Sequence, residues 1–208
     1  MLNKLRILLC LMLCLPFLSA QAAEYQAGTH YVELPNPVST RNADKVEVVA
    51  VFSYLCPHCS NLEPALQSWS KRLADDVDYQ HLPVVFRRDW EPLARAYYVA
   101  ELAGRLDETH QQTFDAIHLH QRRLASVDDL AAFYAPLGID QEEFKKLYGS
   151  FAVDMKLKQG SAKTRGYEIT GVPAMVVNGK YRITAQMAGG NREMLEVVNY
   201  LIEKERAQ

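Results

Sequence analysis

The stretch FSYLCPHCSNLEP, residues 52–64, decides how the rest of the chain is read. It ends an apolar run, VEVVAVFSY from Val46 to Tyr54, and then places Cys56 and Cys59 either side of Pro57-His58. A run that is apolar on both faces suits a central strand covered on both sides. Pro57 lacks an N–H and has its φ preset, so it favours the first position of a helix. Leu62, Leu66, Trp69 and Leu73 follow at spacings of four, three and four, which is one helical face. The cysteines therefore fall at a strand-to-helix junction. Pro64 cannot donate to the carbonyl of Ser60, which predicts a kink one turn past Cys59.

What lies before this stretch determines the available cysteine partners. Lys4 and Arg6 precede an apolar run from Ile7 to Leu18, followed by Ser19-Ala20-Gln21-Ala22. This is the pattern of a secretory signal with an A-x-A site, giving residues 1–22 as signal peptide and Ala23 as the mature start. Twelve residues are too few for a comfortable bilayer span. Neither Cys10 nor Cys14 follows the small residues that lipid attachment requires. Cleavage removes both, leaving Cys56 and Cys59 as the exported protein's two cysteines. It also takes Lys plus Arg from 23 to 21 against 25 Asp plus Glu, a net charge of −4 with no basic patch, so nucleic acid is not an expected partner. At 49% hydrophobic and 23% charged, the chain has an ordinary globular balance.

Three chemistries suit a C-x-x-C pair. A structural bridge between residues so close closes a very short loop and adds little stability. A zinc site needs a second half, and neither another cysteine pair nor a correctly spaced histidine pair is present, His118-x-His120 being too close. No metal is expected on this ground. Redox exchange fits the local physics. A helix N-terminus offers free N–H groups and a positive dipole end, which favour a thiolate at Cys56. His58 adds a donor and, when protonated, a charge. A lowered Cys56 pKa stabilises the dithiol and makes the disulfide an oxidant, with Cys59, one turn inside the helix, as the more buried resolving thiol.

Further along, YVEL (residues 31–34) and YQHLPVVF (residues 79–86) read as strands. From Arg87 to about Gly160 the period is helical. Pro92 opens one helix, with Gly104 to end it. Ser126-x-x-Asp129 and Asp140-x-x-Glu143 resemble capping boxes before the faces Leu130/Phe133/Tyr134/Leu137 and Phe144/Leu147/Tyr148/Phe151. Another helix runs toward Arg165 with Gly166 as its stop. Strands return at AMVV (residues 174–177) and KYRIT (residues 180–184), joined by Asn178-Gly179, a type I′ hairpin signal. Asn191 then caps a last helix with Leu195, Val198 and Ile202 inward.

Together, the apolar strand, CPHC at a helix start, Pro64 five residues after Cys59, and TGVPAMVVNGKY (residues 170–181) resemble the thioredoxin fold. The Pro-His dipeptide and the helical block resemble, more narrowly, the DsbA-type periplasmic thiol:disulfide interchange proteins, over nearly the whole mature chain. The resemblance implies an α/β thioredoxin fold interrupted by an all-helical insertion: residues 23–87 as the first part of the thioredoxin-like domain, 88–160 as the insertion and 161–208 as the second part. It implies an enzyme that donates the Cys56–Cys59 disulfide to reduced, newly exported proteins. Cys56 matches the exposed nucleophile, Cys59 its buried partner, and His58 the histidine that stabilises the thiolate. Pro173 matches a cis proline packed against the disulfide, and Val172 a backbone that pairs with extended substrate. Pro57 and Met175 fall at the substrate-facing side, Met175 with interior packing as the alternative.

The same resemblance implies reduced, unfolded secreted proteins as partners, a membrane quinone-linked reoxidant of the DsbB type, a monomer, and no cofactor beyond the disulfide itself. A reductase or isomerase, or a peptide-binding chaperone that keeps the fold, are the alternative readings. One departure stands out. Where many relatives have a buried acid six positions before the first cysteine, paired with a lysine on the next strand, this chain has Ala50, and His81 lies near the lysine's place. Glu47 is out of register to substitute.

Overall fold

The computed structural model describes residues 25–208, so the expected signal peptide and cleavage site lie outside the described residues. Strand β1 (Val32–Glu33) is followed by β2 (Val46–Phe52), helix α1 (Pro57–Ser70) and β3 (Val77–Pro83). A helical block of α2 (Glu91–Leu102), α3 (Leu106–His118), α4 (Val127–Tyr134), α5 (Gln141–Tyr148) and α6 (Phe151–Gly166) comes next. The chain closes with β4 (Ala174–Val177), β5 (Tyr181–Thr184), the short α7 (Ala185–Ala188) and α8 (Asn191–Arg206). The sheet order is β1-β5-β4-β2-β3, with β2 and β3 parallel and the other pairings antiparallel. Helix α6 runs unbroken through residue 160, where the sequence reading places the end of the insertion, and it packs on α2.

All seven residues of β2 are buried, as its two-faced apolar pattern requires. Alternation then divides them between layers. Val48 and Ala50 join Leu62, Leu66 and Trp69 of α1 and Leu195, Val198 and Leu201 of α8, while Val49 and Val51 face Tyr167, Ala174 and Val176. Phe52 and Tyr54, at the end of the strand, enter a third cluster with Cys56, Cys59 and the helical block. The cysteines are thus packed where the two parts of the molecule meet.

Several local expectations hold in the structure. Asn178 and Gly179 both have positive φ, 50° and 63°, the type I′ geometry. Ser126 and Asp129 form a reciprocal capping box. Others are corrected. Asp140 caps Glu142 and Glu143 without the return bond, so it is a simple N-cap. The last helix starts at Asn191 with Gly190 as N-cap and no side-chain cap. Phe151 is 75% exposed, because Gly149 and Ser150 end α5 and Ser150 caps a new helix in which the phenyl ring points outward. Strand β3 begins two residues earlier than its pattern suggests and stops at Pro83, leaving Val85 and Phe86 exposed. Helix α1 continues through Pro64.

Candidate active site

Cys56 is the N-cap of α1, with φ −92° and ψ 112°, and Pro57 follows in the first turn. Its sulfur takes the place that a Ser or Asp oxygen usually fills, accepting from the Cys59 N–H at 3.3 Å. The backbone is drawn into this turn by Cys56 N–H donating to Ser53 O at 3.0 Å and Leu55 N–H donating to the Ser53 hydroxyl at 3.2 Å. Both cysteines are thiols in this state. Cys59 is the more buried, at 3% exposure against 7%, and Pro57 and His58 project into solvent.

The two sulfurs titrate in opposite directions. A bond donated by the Cys59 thiol does most to lower Cys56, outweighing burial, and the Cys59 and His58 backbone N–H groups and the His58 ring add to it, bringing it to about 6. Cys59 is pushed well up, first by its bond to Cys56, then by burial, with the charges of Cys56 and Glu63 adding to it. A thiol lowered from 9.0 to about 6 on folding stabilises the dithiol protein by an amount complete above pH 9 and lost as pH falls through 6. Thiolate absorbance should therefore titrate near pH 6 in the reduced protein. The melting temperature of the reduced form should rise against the oxidised form between pH 6 and 9. An absorbance midpoint near 9 would contradict both expectations.

The loop before β4 completes the site. The Val172–Pro173 peptide is cis, and the Cys56 thiol donates to Val172 O at 3.4 Å. Val172 and Pro173 are half-buried, and Pro173 lines a small cavity with Cys59, Ala50, Glu63 and Met175. Cys56, Cys59, His58, Pro57, Val172 and Pro173 thus share one end of the sheet. Met175 does not share its open face. It is completely buried in the core between β2 and α8, so interior packing is the role its position fits and the substrate-groove expectation is corrected.

Helix α3 holds this end in place through residues whose role pattern reading missed. His118 Nε2 bonds Tyr54 O at 2.8 Å and His110 Nδ1 bonds the Tyr54 hydroxyl at 2.7 Å, clamping the segment just ahead of Cys56. Glu63 was also missed. It lies four residues after Cys59 on α1, is 2% exposed, and faces His81 and His110. Burial alone would raise its carboxyl, but His110 and His81 outweigh that and hold it at about 2. The buried acid beside Cys59 thus comes from the helix, and Ala50 pairs directly with His81 across the sheet. Glu47 is on the opposite face, bonded to Lys163, Gln80 and Tyr167, as its register requires.

Residues 47–201 match the family described as the DSBA-like thioredoxin domain. The chain belongs to this family. Over 190 residues it is 42% identical to the thiol:disulfide interchange protein DsbA of Pseudomonas aeruginosa, covering 91% of this chain and 90% of that one. To the protein of the same name from Azotobacter vinelandii it is 40% identical over 189 residues, covering 91% and 88%. The crystal structure of Pseudomonas aeruginosa DsbA superposes with a TM-score of 0.84 at 42% identity, covering 88% of this chain and 95% of that one. That of the oxidoreductase DsbA from Xylella fastidiosa gives 0.84 at 34%, covering 88% and 99%. This member of the family is a protein thiol:disulfide oxidoreductase of disulfide bond formation, with an interrupted thioredoxin fold.

Proposed function

We propose that this chain is a periplasmic dithiol oxidase in which Cys56 exchanges with substrate and Cys59 resolves. The observation that carries the reading is the opposite displacement of two sulfurs in one turn of helix, one lowered at the helix cap and one raised beneath it. A substrate thiolate attacks Cys56 of the disulfide, the Cys56–Cys59 bond breaks, and its electron pair leaves on Cys59, which takes up a proton. A second substrate thiolate then attacks the substrate sulfur of the mixed disulfide, and Cys56 departs as a stabilised thiolate. Two substrate thiols become one disulfide and the protein gains two electrons. These pass to a membrane quinone-linked reoxidant of the DsbB type. Extended substrate pairs with the backbone of Val172 beside Pro173, with Pro57 and His58 at the open rim. The substrates are reduced, unfolded exported proteins, the protein acts as a monomer, and the disulfide is its only redox group. Among the described residues no helix is long and apolar enough to cross a membrane, and the leader sequence supports export.

Equilibration with glutathione tests this reading. The pair should be reduced by glutathione far more readily than an ordinary structural disulfide. His58→Ala should shift the equilibrium toward the disulfide, roughly tenfold for each unit by which the Cys56 pKa rises. A pair that glutathione cannot reduce would mark a reductase, and an unchanged equilibrium in the variant would remove His58 from the chemistry.

A further inference from the structure

The three side chains Glu63, His81 and His110 come from α1, β3 and α3, and they converge so that one ligating atom of each lies within 4.8 Å of the others. Glu63 Oε2 is 3.4 Å from His110 Nε2 and 3.6 Å from His81 Nε2. These separations exceed the roughly 2.7–2.9 Å of a charge-assisted hydrogen bond. They match instead the edge of about 3.3 Å that a tetrahedral ion makes between ligands bound at about 2.0–2.1 Å. Glu63 Oε1 and His110 Nε2 are buried and have no hydrogen-bond partner among the described residues. Polar atoms left in that condition are costly unless a further ligand or proton satisfies them.

We propose that Glu63, His81 and His110 form a zinc site with an open fourth position. The donor set, two imidazoles and one carboxylate, is one that Zn²⁺ takes when it keeps a coordination position free. His110 is already oriented from behind, since its Nδ1 is held by the Tyr54 hydroxyl and its Nε2 is turned to Glu63. Entry is through a cavity of about 630 Å³ lined by all three residues and bordered by the exposed Lys71 and Asp107. The Tyr79 hydroxyl, 3.0 Å from His81 Nε2, is the group the ion displaces. On its inner side Glu63 also lines the small cavity shared with Cys59, so the ion lies next to the redox pair. No zinc motif is legible along the chain because the three ligands belong to separate elements.

The test uses the oxidised protein, in which neither cysteine can ligate. Calorimetric titration should show one Zn²⁺ bound, and Co²⁺ in its place should give the intense visible bands of a four-coordinate site. Zn²⁺ should raise the melting temperature, reversed by a chelator. His81→Ala, on a partly exposed strand position, should weaken binding at least about tenfold, as ligand-shell losses do. His110→Gln should do the same where it folds, and His81→Ala decides the matter where it does not. His120→Ala, an exposed histidine, should change nothing. Absence of saturable binding, or an affinity unmoved by His81→Ala, would overturn the site.

Discussion

Oxidative refolding of a reduced, unfolded disulfide protein should fall to the uncatalysed rate with either Cys56→Ser or Cys59→Ser, yet the two variants should leave different products. With Cys59 replaced, Cys56 remains at the cap of α1, accepting the backbone N–H of residue 59, and it attacks substrate disulfides. The mixed disulfide then persists, because no second thiol is within reach to release it. With Cys56 replaced, the remaining thiol is 3% exposed in the cluster beneath the cap, and burial and the nearby Glu63 both disfavour its thiolate. Few adducts should form. Non-reducing electrophoresis of each variant incubated with an oxidised substrate makes the comparison. Equal or greater trapping by Cys56→Ser would reverse the assignment of nucleophile and resolver.

The second large effect is on stability and involves no redox chemistry. Glu47, in the fully buried strand β2, has no exposure. Its carboxylate accepts from the Arg41 N–H at 2.9 Å, Gln80 Nε2 at 2.6 Å, Lys163 Nζ at 3.2 Å and the Tyr167 hydroxyl at 3.2 Å. These partners come from the loop before β2, the strand beside it and the end of α6, so the group ties the helical block's last helix to the sheet. Glu47→Ala would leave a largely covered ammonium and a buried phenol unpaired. The expected cost is about 3–5 kcal/mol, the scale for breaking one side of a buried pair. In a domain of this size that is roughly 10 °C in melting temperature. Glu47→Gln, which keeps shape and some hydrogen bonds, should cost about 1–2 kcal/mol. Urea unfolding of both variants reads the difference, and a loss under about 1 kcal/mol for Glu47→Ala would show the partners re-pairing with water.

The same network explains why Glu47 does not serve the cysteines. Strand residues alternate faces, so a position three before Ala50 points away from α1 whatever its chemistry. The side chain that does reach the space beside Cys59 is Glu63, one helical turn farther on. Its spacing of four from Cys59 was available in the sequence, as was the fact that Leu62 and Leu66 flank it on the inner face. A glutamate amid a helix is ordinarily read as solvated, and its burial follows only once α3 and β3 bring His110 and His81 against it.

Sequence by itself determined the features set by short-range physics. These include the buried central strand from its two-faced apolar run, the helix start from Pro57, the Ser126 capping box, the hairpin from Asn178-Gly179, and the redox character of a cysteine at a helix N-terminus. Each depends on backbone sterics, hydrogen bonds or periodicity within a few residues. Tertiary structure alone decided what depends on elements far apart in the chain meeting: Val172 O beside Cys56 across 116 residues, the two histidines of α3 clamping Tyr54, His110 and His81 against Glu63, and the complete burial of Met175. A side chain's neighbours across the fold are set by how helices and sheet pack, and no local pattern carries that information.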